Sequence, residues 1–211
     1  WGVGTTMYSV FYGRMGDAAV ATMGVCTTIN DLVWVAIFAL MNATAIIVGK
    51  ALGAGDRERA YLYAKRMMAG AVAAGVALGL LVIAVRWPLV NIFSGLSYPV
   101  REKAQFILML GALTIWFRAF NTINIVGVLR SGGDTLTGML FDLGSLWCVS
   151  IPLTLLAARV LQLPFIGVVI FAYLGEDIPK SILCLLHFKR MRWIRPVTEE
   201  GRAGLRDYQG E

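Results

Sequence analysis

Six ionisable side chains lie inside stretches of sequence that are otherwise apolar, and the chemistry open to them is ion binding. They are Asp31, Arg118, Asp142, Glu176, Asp177 and Lys180. If those stretches cross a membrane, each charge is costly unless it is paired or faces water. We therefore expect these residues to contact one another, an aqueous cavity, or a bound cation or proton.

Spacing along a single helix supplies a partner for some of these charges. Glu176 and Lys180 are four residues apart, so they are predicted to pair on one face of a helix. Asp177 would then point in another direction. The alternative, that all three face water, stays open at this point.

Asp142 has no oppositely charged residue at helical spacing, so it needs a partner on another helix or a place in an aqueous cavity. It is therefore a candidate contact for a bound cation or proton. Arg118 is expected to satisfy Asp142 or Asp31 across the helix bundle. Because a positive charge repels cations, Arg118 is interpreted as a structural residue.

Other kinds of chemistry find no support in the residue pattern. His187 is the only histidine, and the sequence shows no nucleophile with a base, no pair of catalytic carboxylates and no metal-ligand spacing. The glycines near position 55 lack the third glycine and the strand of a nucleotide-binding loop. We therefore expect no enzyme activity, no cofactor and no metal site. The cysteines are expected to be free, packed thiols, and they are Cys26, Cys148 and Cys184.

The elements that must position the six charges are membrane spans. Hydrophobic residues make up 58% of the 211 residues, charged residues make up 15%, and the mean hydropathy is +0.70. A soluble protein cannot bury that much apolar surface, and the apolar blocks are long enough to cross a bilayer. The sequence predicts an all-α membrane protein with spans at about 1–12, 18–48, 67–85, 104–129, 139–158 and 165–186.

The first predicted span is shorter than the others. About a dozen residues precede Gly13, whereas a helix needs roughly 20 to cross a bilayer. We therefore expect residues 1–195 to form a six-helix transmembrane lobe with a truncated first helix, within a longer protein. Residues 196–211 are predicted to form a polar tail.

The distribution of basic residues predicts the orientation of the lobe. Of the 19 lysines and arginines, 12 lie between the second and third spans, between the fourth and fifth spans, and in the carboxyl-terminal region; 5 lie in the connections on the opposite side. Basic connections stay on the cytoplasmic side. The glycine-rich loop at 49–59 and the carboxyl terminus are therefore placed in the cytoplasm. Topology thus explains the charge of +6, and no nucleic acid partner is expected.

Three local patterns predict features of the helices. The glycine-rich segment before Asp56 ends one helix, and Asp56 is predicted to cap the next. Small residues at Gly70, at Ala74 or Gly75, and at Gly79 predict close packing of the third span against a neighbour. Pro152 predicts a discontinuity in the fifth span.

The order of several motifs resembles the carboxyl-terminal half of the multidrug and toxic compound extrusion (MATE) family. The motifs are Gly13-Arg-Met-Gly16, the segment from Ile46 to Asp56 with Arg59-Ala60, the segment from Gly127 to Thr135, Asp142 with Trp147 and Ile151-Pro152-Leu153, and the basic cluster from Lys189 to Trp193. Together they cover most of the chain, and their order is more specific than any one of them.

The resemblance implies a fold of twelve helices in two lobes of six, with a central cavity that alternates between the faces of the cell membrane. It implies export of organic cations and amphipathic drugs by multidrug antiport, in exchange for sodium or protons. The partners would be the lipid bilayer and the amino-terminal lobe of the same protein. Our candidates for lining the drug cavity are Asn121, Asn124, Asp142 and Trp147.

One departure from the family concerns the coupling ion. Some branches bind it with carboxylates in the first and fourth helices of this lobe, but residues 104–129 contain no Asp or Glu. Other branches hold the carboxylate in the amino-terminal lobe. Two alternative functions also stay open: a lipid-linked oligosaccharide flippase or polysaccharide exporter of related architecture, in which Arg118 would serve a pyrophosphate, and a non-transporting membrane fragment.

Overall fold

The protein is almost entirely helical in the computed structural model, which describes residues 2–93 and 95–195. The helices are α1 (Gly2–Arg14), α2 (Asp17–Gly53), α3 (Arg57–Ile92), α4 (Tyr98–Leu129), α5 (Thr135–Val160) and α6 (Phe165–Lys189). Within the described ranges, extended pairing is limited to one bridge between Gly133 and Ile194. The predicted all-α fold class is confirmed.

Helices α2 to α5 are long and apolar enough to cross a membrane. α2 has 37 residues, so it measures about 55 Å against about 30 Å for the hydrocarbon core. α1 is shorter, with 13 residues, and α6 carries three charged residues near its middle. The protein is therefore a multi-pass membrane protein, and α1 and α6 complete the predicted set of six helices.

The third helix extends beyond the span predicted for it. That span ended at residue 85, but α3 continues through Pro88 to Ile92. The loop that follows is short because α4 begins at Tyr98 with Pro99 in its first turn. A proline in the first turn removes no helical hydrogen bond, so it suits the start of α4.

Helices α4 and α5 contain π-helical segments, in which the turns are wider than in an α-helix. These segments are Ile123–Leu129, Ser145–Ser150 and Leu156–Val160. Pro152 follows the second of them, in the first turn of the α-helical segment Ile151–Leu155. The discontinuity predicted at Pro152 is therefore a change of helix type within one continuous helix. Such segments occur frequently at functional sites.

The start of α3 follows the predicted capping pattern. Gly55 has a φ of 77°, a left-handed conformation that glycine adopts without steric cost. The Asp56 carboxylate accepts a hydrogen bond from the Arg59 N–H at 2.9 Å. Both the helix stop and the cap are confirmed.

α3 packs closely along α4 through small residues. A Cβ atom added to Gly75 would lie 2.6 Å from the Trp116 Cα, and one added to Gly79 would overlap the carbonyl oxygen of Ala112. Open space surrounds Gly70. The small-residue packing is therefore confirmed for Gly75 and Gly79, whereas Gly70 lies away from the contact.

The chain after α6 folds back onto the turn between α4 and α5. The Arg195 N–H donates to the Gly132 carbonyl at 2.7 Å, and Trp193 is completely buried against this turn. Asp134, at the start of α5, is 1% exposed and lies 2.7 Å from His187 Nε2 and 3.1 Å from Arg195. These contacts tie the carboxyl end of α6 to the lobe. The tail predicted at 196–211 lies outside the described residues.

Candidate functional site

A cavity of about 830 Å³ lies among α1, α2, α4 and α6, with one side chain from α5 in its wall. All six charged residues singled out from the sequence line it, and they are Asp31, Arg118, Asp142, Glu176, Asp177 and Lys180. The six come from four helices, so the fold collects charges that are as many as 149 positions apart in the sequence. The cavity is therefore the candidate functional site.

Lys180 joins two of the cavity carboxylates. Its Nζ lies 2.6 Å from Asp142 Oδ1 and 2.9 Å from Glu176 Oε1. The Lys180 side chain is 7% exposed, whereas those of Asp142 and Glu176 are 34% and 20% exposed. The predicted pairing of Glu176 with Lys180 is confirmed, and Asp142 finds its partner on another helix.

Arg118 pairs with Asp177 instead of with the residues expected from the sequence. Its Nε lies 3.0 Å from Asp177 Oδ2, and its guanidinium carbon lies 4.1 Å from the centre of the Tyr173 ring. The expectation that Arg118 would satisfy Asp142 or Asp31 was wrong. The Asp177 side chain does point away from Lys180, and it contacts Arg118 of α4 on the other side of the bundle.

Asn121 lies in the cavity wall and ties α4 to α6. Its Nδ2 donates to the carbonyl of Asp177 at 3.2 Å, and Ser181 Oγ lies 2.9 Å from its Oδ1. Pro179 lies inside α6 between these contacts. A proline there removes one backbone hydrogen bond of the helix. The contacts from α4 therefore support α6 at the point where it lacks one of its own hydrogen bonds.

Asp31 differs from the other cavity carboxylates because it is exposed and has no ion pair within the described residues. Trp34 and Phe38 lie beside it on α2, with ring centres 5.4 Å apart and planes at 29°. All three line the cavity. This wall therefore offers a negative charge next to two stacked aromatic rings.

A chain of hydroxyl groups connects α1, α5 and α6 at the edge of the cavity. The Tyr8 hydroxyl lies 2.6 Å from Ser150 Oγ, which donates to the carbonyl of Ala172 at 2.8 Å. The same tyrosine hydroxyl lies 3.5 Å from Glu176 Oε2. The two carboxylate oxygens of Glu176 thus face different neighbours, Lys180 on one side and Tyr8 on the other.

Two residues suggested as cavity lining lie elsewhere. Asn124 is completely buried, and its Nδ2 lies 2.9 Å from the Met68 sulfur of α3. Trp147 is 41% exposed on another side of α5 and lies outside the cavity wall. It follows Asp142 by five residues, within the π-helical segment Ser145–Ser150, and lies on a different side of the helix. Of the four suggested lining residues, the structure brings Asn121 and Asp142 together in the wall.

The three cysteines are free thiols, as expected, but they do not share one environment. Cys26 and Cys184 are buried, whereas Cys148 is exposed. Cys148 follows Trp147 on the side of α5 that lies outside the cavity wall. The expectation of packing is therefore wrong for Cys148.

The sequence contained a signal for a second set of lining residues that the prediction missed. On α2 these residues recur at helical spacing and are Thr27, Asn30, Asp31, Trp34, Val35 and Phe38. Residues three and four positions apart share one face of a helix. A polar and aromatic stripe on that face, inside an apolar span, marks it as the side of α2 that lines the cavity.

The sequence profile of the MatE family matches residues 3–156 of the chain. That range covers most of the 211 residues. The chain belongs to the MatE family. The resemblance inferred from the order of motifs is therefore confirmed, and it accounts for the helical membrane architecture.

Two further comparisons extend over nearly the whole chain. The chain is 23% identical over 190 residues to the probable multidrug resistance protein NorM of Thermotoga maritima, covering 90% of this chain and 40% of that protein. A solved MOP superfamily transporter from Pyrococcus furiosus has a TM-score of 0.74 at 17% identity, covering 93% of this chain and 44% of its own. The second comparison shows that the fold is shared. For that transporter, the reverse polarity of its binding pocket suggests a different function.

The MatE lobe described here spans less than half of each of these two proteins. Its cavity wall carries four carboxylates and two basic side chains. The wall therefore has a formal charge of −2 when all six groups are ionised. The wall therefore carries more acidic than basic groups, and any function proposed for the cavity has to be consistent with this excess of negative charge.

Proposed function

We propose that this lobe forms one wall of the substrate cavity in a secondary active antiporter that exports organic cations and amphipathic drugs in exchange for sodium or protons. The observation that carries the proposal is the place of Asp31 beside the stacked rings of Trp34 and Phe38. A flat organic cation needs both a negative charge and aromatic faces, and this wall offers the two together.

The size and polarity of the cavity support the same substrate class. Its volume of about 830 Å³ lies within the range of about 300–1,000 Å³ that is usual for small-molecule sites. Aromatic rings from α1, α2 and α6 supplement the charges, and they belong to Tyr8, Tyr12, Trp34, Phe38 and Tyr173. The formal charge of −2 attracts cations into this partly apolar space.

The transport cycle we propose is alternating access by rocking of two lobes around the cavity. The chain matches 40% and 44% of its two full-length relatives, which leaves length for a second lobe in each of them. In this cycle the loop at 49–59 and the carboxyl terminus stay in the cytoplasm, as the positive charges in those segments favour.

A pyrophosphate-binding flippase receives less support from the geometry. Its strongest feature in the sequence was Arg118, which would have to contact an anionic headgroup. Arg118 instead lies 3.0 Å from Asp177, so a carboxylate already neutralises its charge. An anionic substrate would also have to enter a cavity with an excess of carboxylates.

Transport of ethidium by the reconstituted full-length transporter tests the proposal. We expect gradient-driven ethidium transport, with no movement of a lipid-linked oligosaccharide. Asp31→Asn should weaken ethidium binding roughly tenfold, because it removes the unpaired charge beside the aromatic rings. Glu102→Gln is the matched control, since Glu102 is an exposed acid at the start of α4, outside the cavity. Oligosaccharide movement without ethidium transport would contradict the proposal, as would equal ethidium affinity in both variants.

A further inference from the structure

A second recess in the lobe lies where α3 begins and the chain leaves α6. It has a volume of about 490 Å³, and the described residues that line it are Arg57, Glu58, Arg59, Tyr61, Leu62 and Met191. None of these residues lines the cavity that holds the six charges. We call this recess the α3–α6 groove.

Stacked aromatic rings join the two sides of the α3–α6 groove. The Tyr61 ring of α3 lies 5.1 Å from the Phe188 ring of α6, with the planes at 9°. Phe188 in turn lies 5.7 Å from the ring of Trp193, with the planes at 16°. Phe188 and Trp193 are buried. The groove therefore lies over a packed contact between α3 and the end of α6.

Apolar side chains form part of the groove on both sides. Leu62 of α3 is 42% exposed. Met191 follows α6 and has a φ of 53°, a left-handed conformation in which the chain turns back, and its N–H donates to the Phe188 carbonyl at 3.1 Å. The turn brings Met191 into the lining together with Leu62. The groove thus offers apolar surface directly beside charged groups.

The segments that flank the groove carry an excess of positive charge. Residues 56–59 are two acids and two arginines, whereas residues 189–192 include three basic side chains and no acid. The formal charge of the two segments together is +3. Arg59 Nε lies 3.1 Å from Asp56, but the Arg59 side chain is 73% exposed, so this ion pair competes weakly with another anion. The groove is therefore suited to an anionic ligand.

The position of the groove along α3 places it next to the lipid headgroups. Residues 67–85 carry no charge, and their length of about 28 Å matches the hydrocarbon core of a bilayer. Lys65 and Arg66 are exposed just outside this stretch. They follow Leu62 by three and four positions, so they share its face of the helix. The groove therefore begins about one helical turn beyond the end of the hydrocarbon core.

We propose that the α3–α6 groove binds the headgroup of an anionic phospholipid. Arg57 and Arg59 contact the phosphate, since a guanidinium group can form two parallel hydrogen bonds to phosphate oxygens. Leu62 and Met191 contact the glycerol and the first methylene groups of the acyl chains. Basic pockets between membrane helices recognise headgroups of this charge. The proposal goes beyond the antiport function and does not depend on it.

Titration of the purified full-length protein in detergent with fluorescent phosphatidylglycerol and phosphatidylcholine tests this proposal. The two lipids carry the same acyl chains, so they differ in the charge of the headgroup. We expect phosphatidylglycerol to bind about tenfold more tightly. Arg59→Gln should weaken phosphatidylglycerol binding about fivefold, because it removes one basic side chain next to the phosphate, and should leave phosphatidylcholine binding unchanged.

Arg130→Gln is the matched control for Arg59→Gln. Arg130 is an exposed arginine in the turn between α4 and α5, and it lies outside the lining of the groove. Its substitution should change phosphatidylglycerol binding less than twofold. Equal losses in the two variants would show that the lipid responds to the charge of the whole surface, and would overturn the groove as its site. Equal affinity of the wild-type protein for the two lipids would also overturn the proposal.

Glu58→Gln provides a test in the opposite direction. Glu58 is an exposed acid in the groove lining, so its neutralisation should strengthen phosphatidylglycerol binding severalfold. A variant that was merely damaged would not gain affinity. Unchanged or weaker binding by Glu58→Gln contradicts the proposal.

Glycerol 3-phosphate distinguishes a lipid from a free phosphate ester as the occupant. It carries the phosphate and the glycerol but lacks the acyl chains that Leu62 and Met191 would contact. We expect a tenfold excess of it over the lipid to leave phosphatidylglycerol bound. Complete displacement by glycerol 3-phosphate would overturn the lipid as the ligand of the groove.

Discussion

The carboxylates of the cavity differ in their exposure and in whether a basic side chain neutralises them. Asp177 is 6% exposed and lies against Arg118, so its charge is used within the lobe. Asp142 is 34% exposed although it contacts Lys180, so one side of it still faces the cavity. Asp31 is exposed and has no ion pair in the part of the chain that the structure describes. These three carboxylates therefore become more exposed in the order Asp177, Asp142, Asp31.

The Asp177 pair gives a prediction about stability. Asp177→Asn removes a buried carboxylate and leaves Arg118 without its partner, which we expect to lower the free energy of unfolding by about 3 kcal/mol. Thermal unfolding in detergent measures the change. Asp56→Asn is the matched control, because its ion pair with Arg59 is exposed and asparagine also caps helices, so its effect should stay below about 1 kcal/mol. Equal losses in the two variants would show that the Arg118 pair is not structural.

Whole helices divide the tasks within the lobe. α2, α4 and α6 supply most of the polar wall, whereas α3 contributes no residue to the cavity and packs behind α4. Without a hydrophobic drive between helices in lipid, the contact of α3 with α4 depends on close approach of their backbones. α3 therefore supports the helix that carries Arg118 and Asn121.

The close approach of α3 to α4 gives a prediction at this scale. Gly79→Ala places a methyl group against the Ala112 carbonyl, so we expect a loss of about 1–3 kcal/mol of stability from overpacking. Gly70→Ala is the matched control on the same helix, because open space surrounds Gly70 and alanine favours the helical conformation. Denaturation curves of the two variants in detergent supply the comparison. A control as unstable as Gly79→Ala would contradict the packing described for α3.

At the scale of the whole molecule, the features that could be predicted from the sequence are those that depend on residues close together in the chain. The apolar blocks predicted the helices, and the glycines before Asp56 predicted a helix boundary. The four-residue spacing of Glu176 and Lys180 predicted their contact. The contact between Arg118 and Asp177 joins residues 59 positions apart, so it depends on how α4 and α6 pack and no local pattern reveals it. The position of Trp147 outside the wall of this cavity was not predictable for a related reason, because the residue type alone does not give the face of α5 that it occupies.

The orientation of the lobe gives a prediction for the whole molecule. In a variant without the three native cysteines, single cysteines replace Arg59, which is exposed at the start of α3, and Tyr98, which is exposed at the start of α4 beyond the other end of α3. In intact cells a membrane-impermeant maleimide should label Tyr98→Cys, whereas Arg59→Cys should require permeabilised cells, because its connection is the basic one. The reverse pattern of labelling would invert the proposed topology.

Photolabelling of the full-length protein by a photoreactive azide of ethidium tests most directly the proposal that this cavity binds organic cations. We expect adducts on the α2 face that carries Asp31, Trp34 and Phe38, and on the facing residues of α6. An excess of unmodified ethidium should prevent these adducts. Adducts restricted to the surfaces of α3 and α5 outside the cavity, or cavity adducts that excess ethidium does not reduce, would contradict that proposal.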